Sequence, residues 1–346
     1  MIGKVWQAIV RSLKYAIPIV ISVGLCWYLF RNMDFVEMYG EIRNNCDFTY
    51  ILLSMVLGVG AFFMRAIRWR LQLRASNINA PFRAVLYSII GTYAVNIVFP
   101  RLGELWRSEY IARRQKAPFA TVFGSMLADR VADMVVVTLF TVLTFLLAGS
   151  ALKGFVENYP ALYQTLRSIV RSPWTYIILA TVVISIWLLM HKGHGRLIER
   201  ARNAVRELVG GFMAIFHIRG AGLWVTATAF LWLFYLLEML LVFYAYSYTR
   251  EIFEEHGMLM IFVTFTLSCI SMGVPSNGGF GPYQLAVMFS IACFVSHPDE
   301  MKTGAFANLL LGSQTLVFIV CGLVAFVLIA IDNRRQARLQ KRQQKL

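Results

Sequence analysis

The chain has 346 residues, 58% hydrophobic, 14% aromatic and only 15% charged, a balance that no ordinary soluble domain needs to fill its core. Its 33 basic and 18 acidic residues give a formal charge of +15, and the bases fall in bunches between apolar runs, as loops facing an anionic leaflet require. Nucleic acid is therefore a poor explanation of the charge, and the composition points to an all-α, polytopic helical membrane protein.

The first run, Tyr15 to Phe30, follows a basic head and precedes "RNMDF" without a small-residue cleavage site, so it reads as a retained first helix. A spanning helix needs about 20 mainly apolar residues. Phe48 to Trp69, Ala120 to Ala148, Trp174 to Met190, Gly222 to Tyr246 and Gly304 to Ile331 meet that need. Two further segments are irregular. Ala84 to Pro100 is apolar but runs into "RLGELWRSEYIARR", and Met258 to Val295 is interrupted by "GVPSNGGFGPYQ", whose prolines and glycines must break a helix. Between the fourth and fifth runs, "GRLIERARNAVRELVGGFMAIF" shows apolar and basic faces at helical spacing, and reads either as an interfacial helix or as a plain connector.

Basic residues set the orientation. Lys4, Arg11 and Lys14 precede the first span; Arg65, Arg68, Arg70, Arg74 and Arg83 follow the second; Arg113, Arg114 and Lys116 precede the third; Arg196, Arg200, Arg202 and Arg206 follow the fourth. All are expected to be cytoplasmic, with the basic tail, whereas the acidic "TREIFEEHG" suits an outside loop. Both termini are then inside, with six spans, or eight if both hairpins cross fully. The irregular segments become two re-entrant or broken hairpins entering from opposite faces, an inverted repeat of helix, hairpin, helix. The expected division is one membrane domain, 1–346: first helix and outside loop 1–47, first half 48–150, connector 151–220, second half 221–331 and basic tail 332–346.

Ionisable residues at membrane depth are costly unless paired or facing water, so they are the first functional candidates. In the first hairpin, Pro100 ends the incoming arm, Gly103 permits a tight turn, and Arg101, Glu104, Arg107 and Glu109 follow, with Asn96 just ahead. A helix beginning by Arg101 would align Arg101, Glu104 and Arg107 on one face, where guanidinium groups and free backbone N–H groups suit a phosphate. The bland alternative is a solvated return to the cytoplasm. In the third span, Asp129, Arg130 and Asp133 need partners: Arg130 can pair with Asp133, leaving Asp129 for a hairpin arginine or an aqueous cavity. The second break offers Pro275, Gly278, Gly279 and Gly281 for close backbone approach, with Gln284 after it and Glu238 in the preceding span.

Other chemistry finds little support. Five cysteines lie mostly within apolar runs without CxxC spacing, and His191 and His194 have no local carboxylate or cysteine partner, so no metal site is expected. GxxxxGK[ST], G-x-S-x-G and HExxH are absent, so neither a cofactor nor a catalytic residue is expected.

"RLGELWR" after a proline-ended helix, "ADRVADM" and "GVPSNGGFG" together resemble the transmembrane flippase region of lysylphosphatidylglycerol synthases, a family with many stand-alone bacterial and archaeal members. The resemblance rests best on Arg101, Gly103, Glu104, Asp129 and Arg130. It implies broken helices around a lipid-accessible cavity and movement of lipid between leaflets, in a bacterial cytoplasmic (inner) membrane. No soluble aminoacyl-transferase domain follows the last span, so lysyl transfer is not expected. The family's second motif commonly carries an acidic residue and a later arginine, where this chain has Gln284 and Asn308.

The expected function is flippase-like: an anionic lipid, either a phospholipid or a polyprenyl-phosphate-linked carrier, bound by Arg101, Arg107 and Arg130, with Glu104, Asp129, Asp133 and Asn96 positioning them. The alternatives are a membrane glycosyl- or phosphotransferase using Asp129 and Asp133 around a metal, and a non-catalytic scaffold. The bilayer and its lipid are the expected partners, and homo-oligomerisation is left open.

Overall fold

The computed structural model describes residues 35–343 apart from 100, 150–171, 174–176, 178–180, 182–195, 275, 277 and 296. The expected spans Tyr15 to Phe30 and Trp174 to Met190, the histidines His191 and His194, and the breaks Pro100 and Pro275 lie wholly or mostly outside these residues. The eleven helices described are α1 (Phe35–Asn45), α2 (Phe48–Ala75), α3 (Phe82–Val98), α4 (Leu102–Gln115), α5 (Phe119–Leu147), α6 (Arg196–Met213), α7 (Ala221–Ala245), α8 (Ser247–His256), α9 (Met258–Ser271), α10 (Pro282–Ala292) and α11 (Glu300–Gln343). No strand occurs among the described residues; Cys46 and Tyr246 form an isolated antiparallel bridge.

Among the described residues, four helices are long and apolar enough to cross a bilayer: α2, α5, α7 and the Glu300–Arg334 part of α11. The outward faces of α5 and α11 carry exposed Met134, Leu139, Phe145, Leu323 and Val327, the pattern required where lipid replaces water. The irregular segments fold as expected into paired short helices, α3 with α4 and α9 with α10. At 14 and 11 residues, α9 and α10 rise about 21 and 16 Å, short of the roughly 30 Å hydrocarbon core. Neither arm of the second hairpin is thus long enough to cross alone, and α9 meets α8 at a bend of 115°.

Two sequence expectations are corrected. Both "TREIFEEHG" and the stretch before Asp47 were expected as loops, yet they are largely the helices α8 and α1. Their ends are tied together: Asp47 N–H donates to the Ala245 carbonyl at 2.7 Å beside the Cys46–Tyr246 bridge. Asp47 also caps α2, accepting from the Thr49 N–H at 2.9 Å, which holds its carboxyl below the usual carboxylate range.

α2 packs along α7, and α3 packs against α4 and α11. One core gathers Trp69, Leu73, Ile89, Ile111 and Met126 around the first hairpin. Another gathers Phe243, Met260, Val287, Ile291 and Phe306 around the second, with Phe243 and Phe306 edge to face at 4.6 Å. The connector expected to be amphipathic is helix α6, lying on α5. A β-carbon at Gly124 would meet the backbone of Leu208, and one at Gly211 the backbone of Thr121. Gly124→Ala should therefore lower stability by about 1–3 kcal/mol, read as a drop in thermal midpoint in detergent. An unchanged midpoint would show that α6 does not depend on this crossing.

Candidate functional site

A buried charge cluster sits where α2, α4 and α5 meet. Residues three or four apart share a helix face, so Arg65 and Arg68 of α2 confront Asp129 and Asp133 of α5. Arg68 Nη2 lies 2.6 Å from Asp129 Oδ1 and 2.7 Å from Asp133 Oδ1. Arg65 Nη1 lies 3.0 Å from Asp133 Oδ2 and 3.5 Å from Asp129 Oδ2. Arg107 of α4 completes the set, its guanidinium 4.4 Å over the Trp69 ring and 3.5 Å from Asp129. Arg68 and Asp129 are fully enclosed, and Arg107 nearly so.

Toward the tip of the first hairpin the cluster opens. Glu104 accepts from Arg130 Nη2 at 2.8 Å and from Asn96 Nδ2 at 3.2 Å. Asn96 Oδ1 accepts from the Gly103 N–H at 2.8 Å, closing arm to arm. That amide is therefore not free for a phosphate, as the sequence reading had it. Arg130 also lies 3.8 Å from Asp133, and about a third of its side chain is exposed.

Arg101 departs from the expected helical face. It caps α4 at φ 63°, in the left-handed region, so its side chain turns away from Glu104 and Arg107 to the other hairpin. There it donates to the carbonyls of Met272 at 3.1 Å and Gly273 at 2.7 Å. These follow the C-terminal end of α9, where a cation is favoured. Gly278, Gly279 and Gly281 have φ of 62°, 92° and 88° and turn the chain through the second break. Gln284 closes it much as Asn96 closes the first: Oε1 accepts from the Gly281 N–H at 2.8 Å, and Nε2 donates to Asn308 at 2.6 Å.

The structure thus gathers Asn96, Glu104, Arg107, Asp129, Arg130 and Asp133 and sends Arg101 to the second hairpin. The sequence reading left Arg65 and Arg68 out of the site, counting them among the cytoplasmic bases at the end of the second span. α2 continues to Ala75 and buries both, because the two aspartates opposite compensate them. Their common face was the available signal. Asp332 was also missed. It pairs with Arg83 at the start of α3 and Arg114 at the end of α4, pinning the open end of the first hairpin to α11.

Comparison with known proteins bears on this arrangement. The family model described as the lysylphosphatidylglycerol synthase TM region matches residues 15–299, which include both hairpins and the whole charge cluster. The chain belongs to this family. Among relatives, a UPF0104 membrane protein of Methanothermobacter thermautotrophicus is 23% identical over 281 residues, 73% of this chain and 79% of that one. Those of Pyrococcus horikoshii and Methanocaldococcus jannaschii are 26% identical over 117 residues and 21% over 156. The matches cover 33% and 44% of this chain, and 35% and 43% of those relatives, less than half of either. No solved structure matches. Membership establishes a multi-pass membrane protein, and the chemistry of the cluster narrows what such a protein does with charge inside a bilayer.

Proposed function

We propose that the protein is a flippase-like, non-enzymatic transporter that binds an anionic lipid, a phospholipid or a polyprenyl-phosphate-linked carrier, and passes it between leaflets. One observation carries this reading. Among the described residues, Arg65, Arg68, Arg107 and Arg130 face only Glu104, Asp129 and Asp133 in the cluster, which leaves one positive charge in excess there. Arg130 is the partly exposed member of the cluster, and Arg101 is exposed where the tip of the first hairpin meets the second. Guanidinium groups match a phosphate in two-pronged hydrogen bonds, so Arg101 and Arg130 would take the headgroup while Arg107 stands behind them. Rocking of the two halves about the hairpins would then move the site from one leaflet to the other. The proposed setting is the cytoplasmic membrane with both termini inside.

The aspartates give the alternative transferase reading no support of their own. Each already faces at least two guanidinium groups, and a divalent cation would have to displace them against like charge.

Purified protein in liposomes, with lipid labelled in the inner leaflet, tests the proposal. Wild type should raise transfer to the outer leaflet above protein-free vesicles. Arg101→Ala should reduce that gain about tenfold, the worth of one charge-assisted hydrogen bond. A rate in Arg101→Ala equal to wild type would remove Arg101 from the site, and no gain in wild type would remove the function.

A further inference from the structure

A further ionisable residue lies within a candidate span, apart from the arginine cluster. Glu238 stands seven residues before the end of α7, about 10 Å of helix rise inside it, and only 5% of it is exposed. Its carboxyl presses on α2 at Gly58, where a β-carbon would lie 3.1 Å from Oε1. Among the described residues Glu238 makes no hydrogen bond and no ion pair. The ionisable groups around it are few. α10 presents Tyr283, itself buried and close enough to interact with the carboxyl, and α9 places Cys269 beside Tyr283. On α7 itself Tyr235 precedes Glu238 by less than one turn. On α2 the nearest base is Arg65, seven residues beyond Gly58 and already engaged with Asp129 and Asp133. α11 carries no charged residue between Lys302 and Asp332.

A carboxylate with neither a cation nor a donor is among the costliest groups to bury, and taking up a proton removes most of that cost. The Gly58 contact adds a second constraint, because the carboxyl is seated directly against α2 at a position where a side chain would crowd it. We propose that Glu238 is a proton-binding site of this membrane domain, neutral when α2 and α7 are packed as here and deprotonated when their separation admits water. The proton comes from one aqueous face and leaves to the other, with no bond formed or broken beyond the carboxyl O–H. Coupling of this proton to lipid movement rests on the function proposed above; the proton site itself does not.

Two measurements on the full chain decide the matter separately. In infrared difference spectra at neutral pH, wild type should show the C=O stretch of a protonated carboxylic acid. That band should be missing from Glu238→Gln, which keeps the shape of the neutral carboxyl and should fold as wild type does. Identical spectra from the two proteins would overturn the site. In liposomes, an imposed gradient of about one pH unit should shift the lipid distribution about tenfold if one proton moves with each lipid. Glu238→Gln should move lipid but ignore the gradient. A gradient response retained in Glu238→Gln would overturn the coupling. If the infrared band is present but neither protein moves lipid, the site stands and the flippase reading falls.

Discussion

Asp129→Ala should lower folding stability by about 3–5 kcal/mol, because removing one member of a buried ion cluster strands its partners without solvent. Asp129 is fully enclosed and faces Arg68, Arg65 and Arg107 at 2.6, 3.5 and 3.5 Å. Without it, Arg65 and Arg68 are left to Asp133, and Arg107 loses the only carboxylate within ion-pair distance of it among the described residues. Asp133→Ala should cost less, since its side chain is 13% exposed and its buried partners Arg65 and Arg68 also reach Asp129. Thermal unfolding followed by size-exclusion chromatography in detergent gives the comparison. A sharper check replaces both ends of the strongest pair. Asp129→Leu with Arg68→Met should regain part of the stability lost by Asp129→Leu alone, since paired apolar replacement removes the stranded charge. Equal losses in single and double variants would show that the two residues do not act as a pair.

The long apolar helices announce themselves because lipid demands an uninterrupted apolar stretch, and α2, α5, α7 and α11 fall close to where hydropathy puts them. The hairpins are legible through their breakers, the glycines between Met272 and Pro282 above all. Arg65 and Arg68 were misread for a physical reason. A positive-inside count treats every arginine near the end of an apolar run as a loop residue, yet whether an arginine can be buried depends on a carboxylate more than 60 residues away in sequence. The clue was local to each partner: two arginines three apart on one helix, two aspartates four apart on another. Arg101 was misplaced by one dihedral. A residue assumed helical adopts φ 63°, and its side chain leaves the face shared by Glu104 and Arg107. No periodicity signals a left-handed arginine, because that conformation is imposed by the turn around it.

Gly103→Ala concentrates these constraints at the tip of the first hairpin. A β-carbon there would strike the Thr92 carbonyl oxygen and come within 2.7 Å of Asn96 Oδ1 and 2.9 Å of Thr92 Cγ2. The first obstacle is backbone in the middle of α3, so side-chain rotation cannot relieve it and α4 must back away from α3. Doing so breaks the Asn96–Gly103 hydrogen bond of 2.8 Å and slackens the Asn96 contact to Glu104. Overpacking and the lost bond together should cost about 2–4 kcal/mol. The displaced tip also carries Arg101 off the Met272 and Gly273 carbonyls, so lipid movement should fall at least as far as in Arg101→Ala. Truncating Asn96 as well separates the two obstacles. Gly103→Ala with Asn96→Ala removes the side-chain clash but keeps the backbone one, and its thermal midpoint should stay below that of Asn96→Ala alone. A double variant as stable as Asn96→Ala would mean that the hairpin arms do not meet at the Thr92 carbonyl, and that the tip is free to open without strain.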